Sequence, residues 1–512
     1  MDKTLFVEHV LNDPSQVLLF TRPRRMGKTL NLDTLRTFID PLEKDVAPLF
    51  KGLKLEKSPV FDQLGSHPVI WLSFRDFHLE SKEFEFQRLV TSLANRYLTK
   101  KQISPSLKKL IDEGGPALLS SIRYLCEDIE EATGQKSFII IDEYDKLYMD
   151  SATKGEEAYE EARDFTKTIM ASCLKDNRSL FKAAVTGVNR IAQESMFSDL
   201  NNIKVYGVFN ESEYDTDFGF TEEEVAALID DKKELEKVRD WYNNYRIGSS
   251  KIYFTYSVMS YLDMGRFSNY WGKSGTINLI QSGLTQKRVD QITSAIRGEK
   301  FVEIVTDRLN GEDLNGFERN GSFYSLLIQT GYMTFDETDL PNSYELSTPN
   351  VELNNVWEEF ILDTIFRIAN HEVVDAFKHI DKPLCFQAKF KDLLSNKLSY
   401  YDFDAKEPEK TYHVYVLALL AAVGIKVKSN KEAGLGRYDL FAFYNNANYV
   451  FEFKKAQSEE KLEDACQAAI QQIKDKKYTA EIENNNPTHL VGIGFFGKEN
   501  LVRVERKSAT VL

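Results

Sequence analysis

Residues 17–29 read Val-Leu-Leu-Phe-Thr-Arg-Pro-Arg-Arg-Met-Gly-Lys-Thr. The apolar run at 17–20 predicts a buried strand, and apolar residues with helical spacing follow Gly27, Lys28 and Thr29. This order of strand, turn, Gly-Lys-Thr and helix is typical of a phosphate-binding loop, in which backbone N–H groups and a helix N-terminus hold phosphate oxygens. We therefore expect Lys28 to reach the β- and γ-phosphates of ATP, and the Thr29 hydroxyl to hold Mg²⁺.

The loop departs from the usual G-x-x-x-x-G-K-[ST] pattern at its first position, where Arg22 replaces glycine. Pro23 stiffens the turn, and Arg22, Arg24 and Arg25 add positive charge before Met26. Without its first glycine, the loop has less room for close approach of the backbone to phosphate. We therefore expect at least one of the three arginines to face phosphate, as part of a nucleotide site that runs from residue 22 to residue 29. The alternative is a basic surface turn before an ordinary helix.

A second motif, Phe-Ile-Ile-Ile-Asp-Glu-Tyr-Asp, occupies residues 138–145. Its four apolar residues predict a strand that is buried on both faces, as in a parallel sheet. Asp142 and Glu143 follow at the carboxyl end of the strand, where open α/β sheets bind ligands. We expect Asp142 to anchor Mg²⁺ through its water shell and Glu143 to act as the general base on the attacking water. The alternative is that Asp142 caps the next helix and Glu143 is solvated.

A third strand is predicted at residues 181–185, followed by Thr186-Gly-Val-Asn-Arg190. A polar residue at the tip of a strand next to the phosphate loop can sense the γ-phosphate, and either Thr186 or Asn189 could do so here. Arg190 could supply charge to the transition state of ATP hydrolysis. The alternative for Arg190 is an ordinary surface residue.

Composition limits the remaining choices. The 512 residues, 42% of them hydrophobic, are enough for two to four domains. The four cysteines and seven histidines are dispersed, which argues against a structural zinc site or a disulfide framework and fits a reducing compartment. No apolar run approaches about 18 residues and no signal peptide is evident, so we expect a cytoplasmic protein with no membrane partner. The net charge of −14 argues against a surface that attracts nucleic acid everywhere.

The order of strand and helix signals predicts four parts. Residues 1–210 alternate between the two, which is typical of a mostly parallel, three-layer sheet; within them, residues 107–131 are predicted to be helical throughout. Residues 211–335 form a mainly helical middle region, and 336–408 a connecting helical region. Residues 409–512 form a small α/β domain with a slight excess of basic over acidic side chains.

A hairpin is predicted in the last part, with strands at 438–443 and 449–455 and a turn at 445–448. Glu452 and Lys454 share one face of the second strand, because side chains alternate along a strand. Asp439 on the preceding strand can lie alongside them. An Asp followed by Glu-x-Lys on the next strand is the arrangement of a metal-dependent phosphodiesterase, in which two carboxylates hold Mg²⁺ and the lysine positions the metal-activated water.

Two flanking residues are predicted to complete this site. Glu409 is expected as a further metal ligand, and Gln472 lies in a helix predicted at 465–478. The alternative is an amphipathic hairpin whose outward face carries Glu452 and Lys454 without function.

With both ends of the chain considered, the sequence resembles a bacterial and archaeal family of AAA-ATPase-like proteins, in which a divergent P-loop ATPase precedes a PD-(D/E)XK nuclease-like domain. The resemblance implies an α/β fold with a three-layer P-loop NTPase domain, a helical middle region and a small C-terminal nuclease-like domain. Members of this family typically have Arg-Pro-Arg-Arg where other P-loops begin with glycine. The matching segments are Asp2-Lys-Thr4, Arg22-Pro-Arg-Arg-Met-Gly-Lys-Thr29, Ile141-Asp-Glu-Tyr-Asp145, Thr186-Gly-Val188, Phe197-Ser198, Leu200-Asn-Asn202, Trp241-Tyr242, Tyr245, Gly331-Tyr332, Pro349-Asn350, Tyr412-His413, Gly436-Arg-Tyr-Asp439, Glu452-Phe-Lys454, Gln472-Ile473 and Tyr478.

Two functions remain open on the sequence. The first is an ATP-regulated, Mg²⁺-dependent nuclease with ATP and DNA or RNA as its partners, and with a homo-oligomer left open. The second is a nucleotide-dependent switch or assembly module whose C-terminal domain binds a partner without catalysis. The complete Asp439, Glu452 and Lys454 set favours the nuclease, whereas the acidic net charge favours the switch. Family members usually carry a short segment before Asp2, so a truncated N-terminus is also open.

Overall fold

The chain forms two compact units in the computed structural model, one of residues 1–288 and 298–353, the other of 289–297 and 354–512. Each unit is described by itself. The structure describes residues 1–43, 45–152, 154–191, 203–271, 277–296, 298–309, 311–314, 317, 321–361, 375, 378–379, 382–397, 416, 420, 426–429, 432–433, 436–444, 446–479, 482, 486–497 and 499–507. Within these ranges, no helix has the length and apolar character needed to cross a membrane.

The helices, numbered along the chain, are α1 (Leu5–Asn12), α2 (Lys28–Ile39), α3 (Lys82–Tyr97), α4 (Pro105–Glu113), α5 (Ser121–Thr133), α6 (Lys146–Ser151), α7 (Glu156–Leu174), α8 (Glu222–Ala226), α9 (Lys232–Tyr242), α10 (Thr255–Met264), α11 (Ile277–Ser282), α12 (Gln286–Ile296), α13 (Gly311–Leu314), α14 (Ser322–Thr330), α15 (Val351–Ile361), α16 (Pro383–Lys397) and α17 (Leu462–Asp475). The strands are β1 (Val17–Thr21), β2 (Val69–Ser73), β3 (Ser137–Asp142), β4 (Leu180–Gly187), β5 (Ile203–Tyr206), β6 (Tyr245–Ile247), β7 (Ser250–Ile252), β8 (Phe301–Ile304), β9 (Thr334–Glu337), β10 (Ser343–Ser347), β11 (Lys426–Ser429), β12 (Glu432–Ala433), β13 (Gly436–Arg437), β14 (Leu440–Tyr444), β15 (Ala447–Lys455), β16 (Thr488–Phe496) and β17 (Glu499–Arg506).

The sheet of the first unit has the strand order β2-β3-β4-β1-β5, and every pairing in it is parallel. The three strands predicted at 17–20, 138–141 and 181–185 are confirmed, each extended by one or more residues. All residues of β1 and β3 are buried, as expected for strands covered on both faces. Since β1, β3 and β4 are parallel neighbours, the loops that follow them meet at one edge of the sheet.

The helical pattern predicted over residues 107–131 is present except for one break at Gly114 and Gly115, after which a short 3-10 helix (Pro116–Ser120) leads into α5. Helix α4 ends at Glu113, and α5 begins only at Ser121. Gly114 and Gly115 between them have φ values of 65° and 66°, which a right-handed helix excludes, and Pro116 follows directly. Proline disfavours a helical conformation at the residue before it, so this Gly-Gly-Pro stretch ends α4 despite the apolar periodicity on either side.

The region beyond the parallel sheet contains a second sheet with the order β8-β10-β9, in which both pairings are antiparallel. The domain boundary predicted between residues 335 and 336 falls inside β9. The four residues of β9 are too few to show a clear alternation of apolar and polar side chains, so the sequence did not indicate this strand. The rest of the predicted four-part division stays a prediction.

The sheet of the second unit has the order β11-β14-β15-β16-β17, with β15 and β16 parallel and the other pairs antiparallel. Helix α17 lies over β16 at Gly492 and Gly494. A Cβ at Gly492 would lie 2.6 Å from the carbonyl oxygen of Cys466, and one at Gly494 would lie 2.8 Å from that of Leu462. The two glycines therefore let the helix backbone approach the sheet closely.

The predicted hairpin is present, but its turn is tighter than expected. Ala447 pairs with Tyr444 and Asn448 with Phe443, so two of the four residues assigned to the turn belong to β15. Asn446 has a φ of 56°, which asparagine tolerates better than most residues and which suits a two-residue hairpin turn. Asn445 lies outside the described residues.

Candidate functional site

The phosphate-binding loop connects β1 to α2, whose first residue is Lys28. Gly27 has a φ of 82°, a conformation that favours glycine and that turns the chain into the helix. The Lys28 ammonium donates hydrogen bonds to the carbonyl oxygens of Arg22 at 3.0 Å and Pro23 at 2.9 Å. Burial lowers its pKa to about 8, while nearby Asp145 and Asp142 oppose the shift. The loop thus holds a buried cation at its centre, and an anion bound there would favour the charged form.

Asp142, at the end of β3, connects the helix after the loop to the neighbouring strand. The Thr29 hydroxyl donates to its Oδ2 at 2.7 Å, and the Thr186 hydroxyl at the end of β4 donates to its Oδ1 at 2.5 Å. The structure therefore brings Thr29, Asp142 and Thr186 together from three separate segments. Hydroxyl and carboxylate oxygens are the ligands that Mg²⁺ prefers, so these residues fit the predicted Mg²⁺ of an ATP complex.

Glu143 follows Asp142 with a φ of 53°, an uncommon value for a residue that is not glycine. Burial and the charge of Asp142 raise the pKa of its carboxyl above the ordinary value, while Lys28 opposes the shift. A raised pKa favours proton uptake by this carboxyl, which fits the role of general base predicted for Glu143.

Asp145 was not predicted as part of this site. Its carboxylate is buried and accepts hydrogen bonds from the backbone N–H groups of Val188 at 3.0 Å and Asn189 at 2.7 Å. The Asn189 side-chain amide donates to the same oxygen. Asp145 therefore fixes the loop after β4, and Thr186 rather than Asn189 contacts Asp142. The sequence signal for this role is a second aspartate three residues after Asp142.

Arg22 does not face the centre of the phosphate loop. Its guanidinium is fully buried and donates to the carbonyl oxygens of Tyr206 at 2.7 Å and Tyr214 at 3.3 Å, and it lies 5.2 Å from the centre of the Phe218 ring. Arg22 thus replaces the usual glycine as a packing residue that ties the end of β1 to the end of β5 and to the segment after it. The predicted phosphate contact of Arg22 does not fit this placement.

Arg25 and Met26 also have partners in the middle region. Arg25 has a φ of 65°, stacks 4.4 Å from the centre of the Tyr256 ring and donates to the Tyr270 carbonyl oxygen at 2.6 Å. Met26 is buried, and its carbonyl oxygen accepts the backbone N–H of Gly219 at 3.0 Å.

The two other predicted cations differ from each other. Arg24 is half-buried, and its charge opposes the pKa rise of Glu143 and Asp145, so it lies beside the acidic cluster. Arg190 instead forms an ion pair with Asp307, and its backbone N–H donates to Gln329. Of the predicted arginines, Arg24 is thus the one placed next to the acids that follow β3.

The second group of predicted residues lies on β15 and just before β14. The hairpin register pairs Leu440 with Phe451, which places Asp439 opposite Glu452 if continued by one residue. The backbone N–H of Phe453 donates to Asp439 Oδ2 at 2.9 Å, and Lys454 Nζ lies 3.5 Å from Glu452 Oε1. The structure therefore brings together the two carboxylates and the ammonium group.

Helix α17 adds Gln472, whose side-chain amide donates to Glu452 Oε1. The same amide nitrogen lies 3.3 Å from the hydroxyl of Tyr478, a residue that was not predicted as part of the site. Burial and the charges of Glu452 and Asp439 raise the pKa of Tyr478, so its hydroxyl lies near both acids.

Glu452 is the most buried member of this group, at 2% exposed. Burial, and after it the charge of Asp439, raises the pKa of its carboxyl to about 8. Its Oε2 makes no hydrogen bond of ordinary geometry within the described ranges. The backbone N–H of Asp439 lies near the carboxylate and favours its charged form, which opposes the rise in pKa. A buried carboxylate oxygen of this kind fits a cation ligand, because an unpaired charge is otherwise unfavourable there.

The burial of Glu452 also bears on the two expectations for this region. An amphipathic hairpin without function would expose Glu452, which α17 instead covers. The metal-site expectation requires access for a substrate, and Asp439 and Lys454 are indeed only half-buried, while Glu452 lies beneath them. The third predicted metal ligand, Glu409, lies outside the described residues, and within these no group of three acidic, histidine or cysteine side chains is placed to hold a metal ion.

Comparison with known proteins matches the two candidate sites to two separate parts of the chain. Residues 1–197 match the AAA-ATPase-like family, described as "Predicted AAA-ATPase", and residues 407–505 match the PD-(D/E)XK nuclease superfamily. The chain joins an AAA-ATPase-like domain to a PD-(D/E)XK nuclease superfamily domain. The suspected family resemblance is thereby confirmed, and so is the α/β fold class.

One relative is similar over most of both chains. It is a protein of Azotobacter chroococcum mcd 1, named "Uncharacterized protein in vnfD 5'region", with 28% identity over 97% of this chain and 92% of its own length. Both domains therefore have counterparts in one relative. Of the motifs that carried the resemblance, residues 197–202 and 412–413 lie outside the described residues.

Proposed function

We propose that this protein binds and hydrolyses ATP and that its C-terminal domain is a metal-dependent nuclease whose activity depends on the nucleotide state. The observation that carries the enzymatic proposal is the convergence of Asp439 with Glu452 and Lys454 of β15. Within the described residues, one buried oxygen of Glu452 makes no hydrogen bond of ordinary geometry. The two family matches support a nucleotide-binding module and a nuclease-like module.

In the ATPase domain, Lys28 would bind the β- and γ-phosphates, while Thr29 and Asp142 would hold Mg²⁺. Bound Mg²⁺ would neutralise charge on the phosphate oxygens. Glu143 would accept the proton of the attacking water, since its raised pKa favours proton uptake. Arg24 beside Glu143 would stabilise negative charge as water attacks the γ-phosphorus and the bond from that phosphorus to the leaving ADP breaks. Thr186, bonded to Asp142, would respond to the γ-phosphate.

In the nuclease-like domain, Asp439 and Glu452 would hold a divalent cation, with Gln472 fixing the Glu452 carboxylate. A bound divalent cation supplies a lowered pKa to the attacking water and polarises the phosphate. The Lys454 ammonium would orient that water and stabilise negative charge on phosphate as the phosphorus–oxygen bond to the leaving nucleotide breaks.

The decisive experiment is a cleavage assay on plasmid DNA, single-stranded DNA and RNA, with Mg²⁺ or Mn²⁺ and with or without ATP. Wild-type protein should cleave at least one substrate, whereas Asp439→Asn and Lys454→Met should not. Lys455→Met is the matched control, because Lys455 is exposed and adjacent but on the other face of β15. Coupling predicts that Lys28→Met changes the cleavage rate, whereas Lys51→Met, which removes an exposed lysine, does not.

The acidic net charge of −14 favours a second candidate, a nucleotide-dependent switch with a non-catalytic binding domain. This candidate predicts ATP binding that Lys28→Met removes, together with no cleavage of any substrate by wild-type protein under either metal. Equal cleavage by wild type and Asp439→Asn would also contradict the nuclease site, since the activity would then come from elsewhere.

A further inference from the structure

We infer that Arg25 and Tyr256 form the wall on which the nucleobase of ATP stacks, so that helix α10 contributes base recognition to the nucleotide site. The inference rests on the proposed ATP site and names the part of it that holds the base. The ligand class is a planar purine base attached to a triphosphate.

Arg25 and Tyr256 already form a stacked, solvent-facing pair. The guanidinium carbon lies 4.4 Å from the ring centre, and Tyr256 is 48% exposed. The Tyr256 backbone N–H is 3.4 Å from the Arg25 carbonyl oxygen, and the guanidinium also donates to the Tyr270 carbonyl oxygen. Aromatic rings and guanidinium planes are the surfaces on which bases stack in proteins, since every base presents a π-face.

Arg25 belongs to the phosphate loop, and Tyr256 lies directly beside that loop. Helix α10 begins at Thr255, whose hydroxyl oxygen is 4.0 Å from the position that a Cβ would take at Gly27. On the opposite side, Lys28 and Thr29 adjoin the acids that follow β3, where the γ-phosphate is expected. A triphosphate with its γ-phosphate at those acids directs its nucleoside end away from them.

An exposed apolar residue follows the loop on α2. Leu30 comes directly after Thr29 and is 66% exposed, which is unusual for a leucine beside a polar site. A base that covered Leu30 would remove apolar surface from water. This exposure is therefore consistent with a nucleoside that leaves the loop near the start of α2.

A buried carboxylate holds in place the two segments that contact Arg25. Glu352 accepts the Ser257 hydroxyl at 2.8 Å and the Trp271 backbone N–H at 2.6 Å. Ser257 follows Tyr256 in the chain, and Trp271 follows Tyr270. The stacking surface is thus fixed before a ligand binds, which reduces the entropy lost on binding.

Calorimetry on the full chain with Mg²⁺ tests this inference, using ATP and inorganic tripolyphosphate as the two ligands. Base stacking predicts that Tyr256→Ala weakens ATP binding by about 5- to 150-fold. The same variant should bind tripolyphosphate within about twofold of wild type, because that ligand has no base. Tyr256→Phe should keep wild-type affinity for both ligands, and Tyr256→Ser should behave as Tyr256→Ala. Met264→Ala on the same helix is the control for an exposed side chain and should change neither affinity.

Three results would overturn the inference. Unchanged ATP affinity in Tyr256→Ala and Tyr256→Ser would mean that the base lies elsewhere. An equal loss of affinity for ATP and tripolyphosphate would mean that Tyr256 stabilises the phosphate loop and does not contact the base. If wild-type protein bound neither ligand, the proposed ATP site itself would be wrong, and the inference would fail with it.

Discussion

The phosphate loop and the Asp439–Glu452 site both contain buried charges, but they satisfy them differently. In the first, Lys28 donates hydrogen bonds to two carbonyl oxygens, and each carboxylate oxygen of Asp142 accepts a hydrogen bond from a threonine hydroxyl. In the second, burial and then the charge of Asp439 raise the pKa of Glu452, whose Oε2 makes no hydrogen bond of ordinary geometry within the described residues. The first site can therefore keep its shape without a ligand. In the second, repulsion between two ionised carboxylates favours a protonated Glu452, and a bound cation would take the place of that proton.

The largest expected effect concerns catalysis in the first site. Glu143→Gln should lower the rate of ATP hydrolysis by about 10²- to 10⁴-fold, because the amide cannot accept the proton of the attacking water. ATP affinity should stay near that of wild type, since Lys28, Thr29 and Asp142 remain. Phosphate release and calorimetry measure the two quantities, with the exposed Glu157→Gln as the control. Retained turnover in Glu143→Gln would remove Glu143 from the mechanism.

The second prediction addresses the repulsion in the other site. Mg²⁺ or Mn²⁺ should slow hydrogen exchange in peptides that cover β15, with a stabilisation of about 2.7 kcal/mol at a metal concentration of 100 times Kd. Asp439→Asn should remove most of this effect, whereas Glu459→Gln, which changes an exposed acid of the same unit, should not. Equal protection by metal in wild type and Asp439→Asn would show that the two acids do not share a cation.

The third prediction tests whether burial alone raises the pKa of a carboxyl group whose oxygens both have hydrogen-bond donors. Glu352 has hydrogen-bond donors at both oxygens, yet burial raises its pKa to about 7. The folded state therefore binds this proton more tightly than the unfolded state, and wild-type stability falls as pH rises from about 4.5 towards about 7.

Glu352→Gln has no such proton equilibrium, so its stability relative to wild type should rise between pH 5 and pH 8 by about 1–3 kcal/mol. Urea denaturation at the two pH values measures this difference, with the exposed Glu236→Gln as the reference. A pH-independent difference between Glu352→Gln and wild type would mean that Glu352 is already ionised at pH 5.

The smallest effect is expected at Tyr478. Tyr478→Phe removes the 3.3 Å contact with Gln472 but leaves the bond from Gln472 to Glu452. A neutral hydrogen bond contributes about 0.5–1.5 kcal/mol, so DNA or RNA cleavage should fall by about 2- to 10-fold. The cleavage rate and its dependence on metal concentration measure this. An inactive Tyr478→Phe would instead indicate that the hydroxyl contacts the substrate.

Local patterns in the sequence predicted the parts of both sites that depend on one strand or one turn. The strand before Asp142 follows from four consecutive apolar residues, and the shared face of Glu452 and Lys454 follows from alternation along β15. The order of Gly27, Lys28 and Thr29 between strand and helix was equally informative.

The remaining parts depend on residues that are distant in the chain. Arg22 is buried because the carbonyl oxygens of Tyr206 and Tyr214 accept its N–H groups, and nothing near Arg22 in the sequence indicates these partners. Glu352 and Tyr478 were missed for the same reason, since an isolated Glu or Tyr is usually solvated or packed. The turn at Asn446 was predicted two residues too long, because Ala447 and Asn448 have little strand preference of their own.

Gly492 and Gly494 show that the geometry of a site can depend on the absence of Cβ atoms. Because these two positions on β16 lack a Cβ, α17 lies close enough to the sheet for Gln472 to reach Glu452. The spacing of the nuclease-like site is therefore tuned from a strand that carries none of its functional groups. Adding a single methyl group to that strand would widen the gap between helix and sheet, and the residues of the site could all be retained while their alignment was lost.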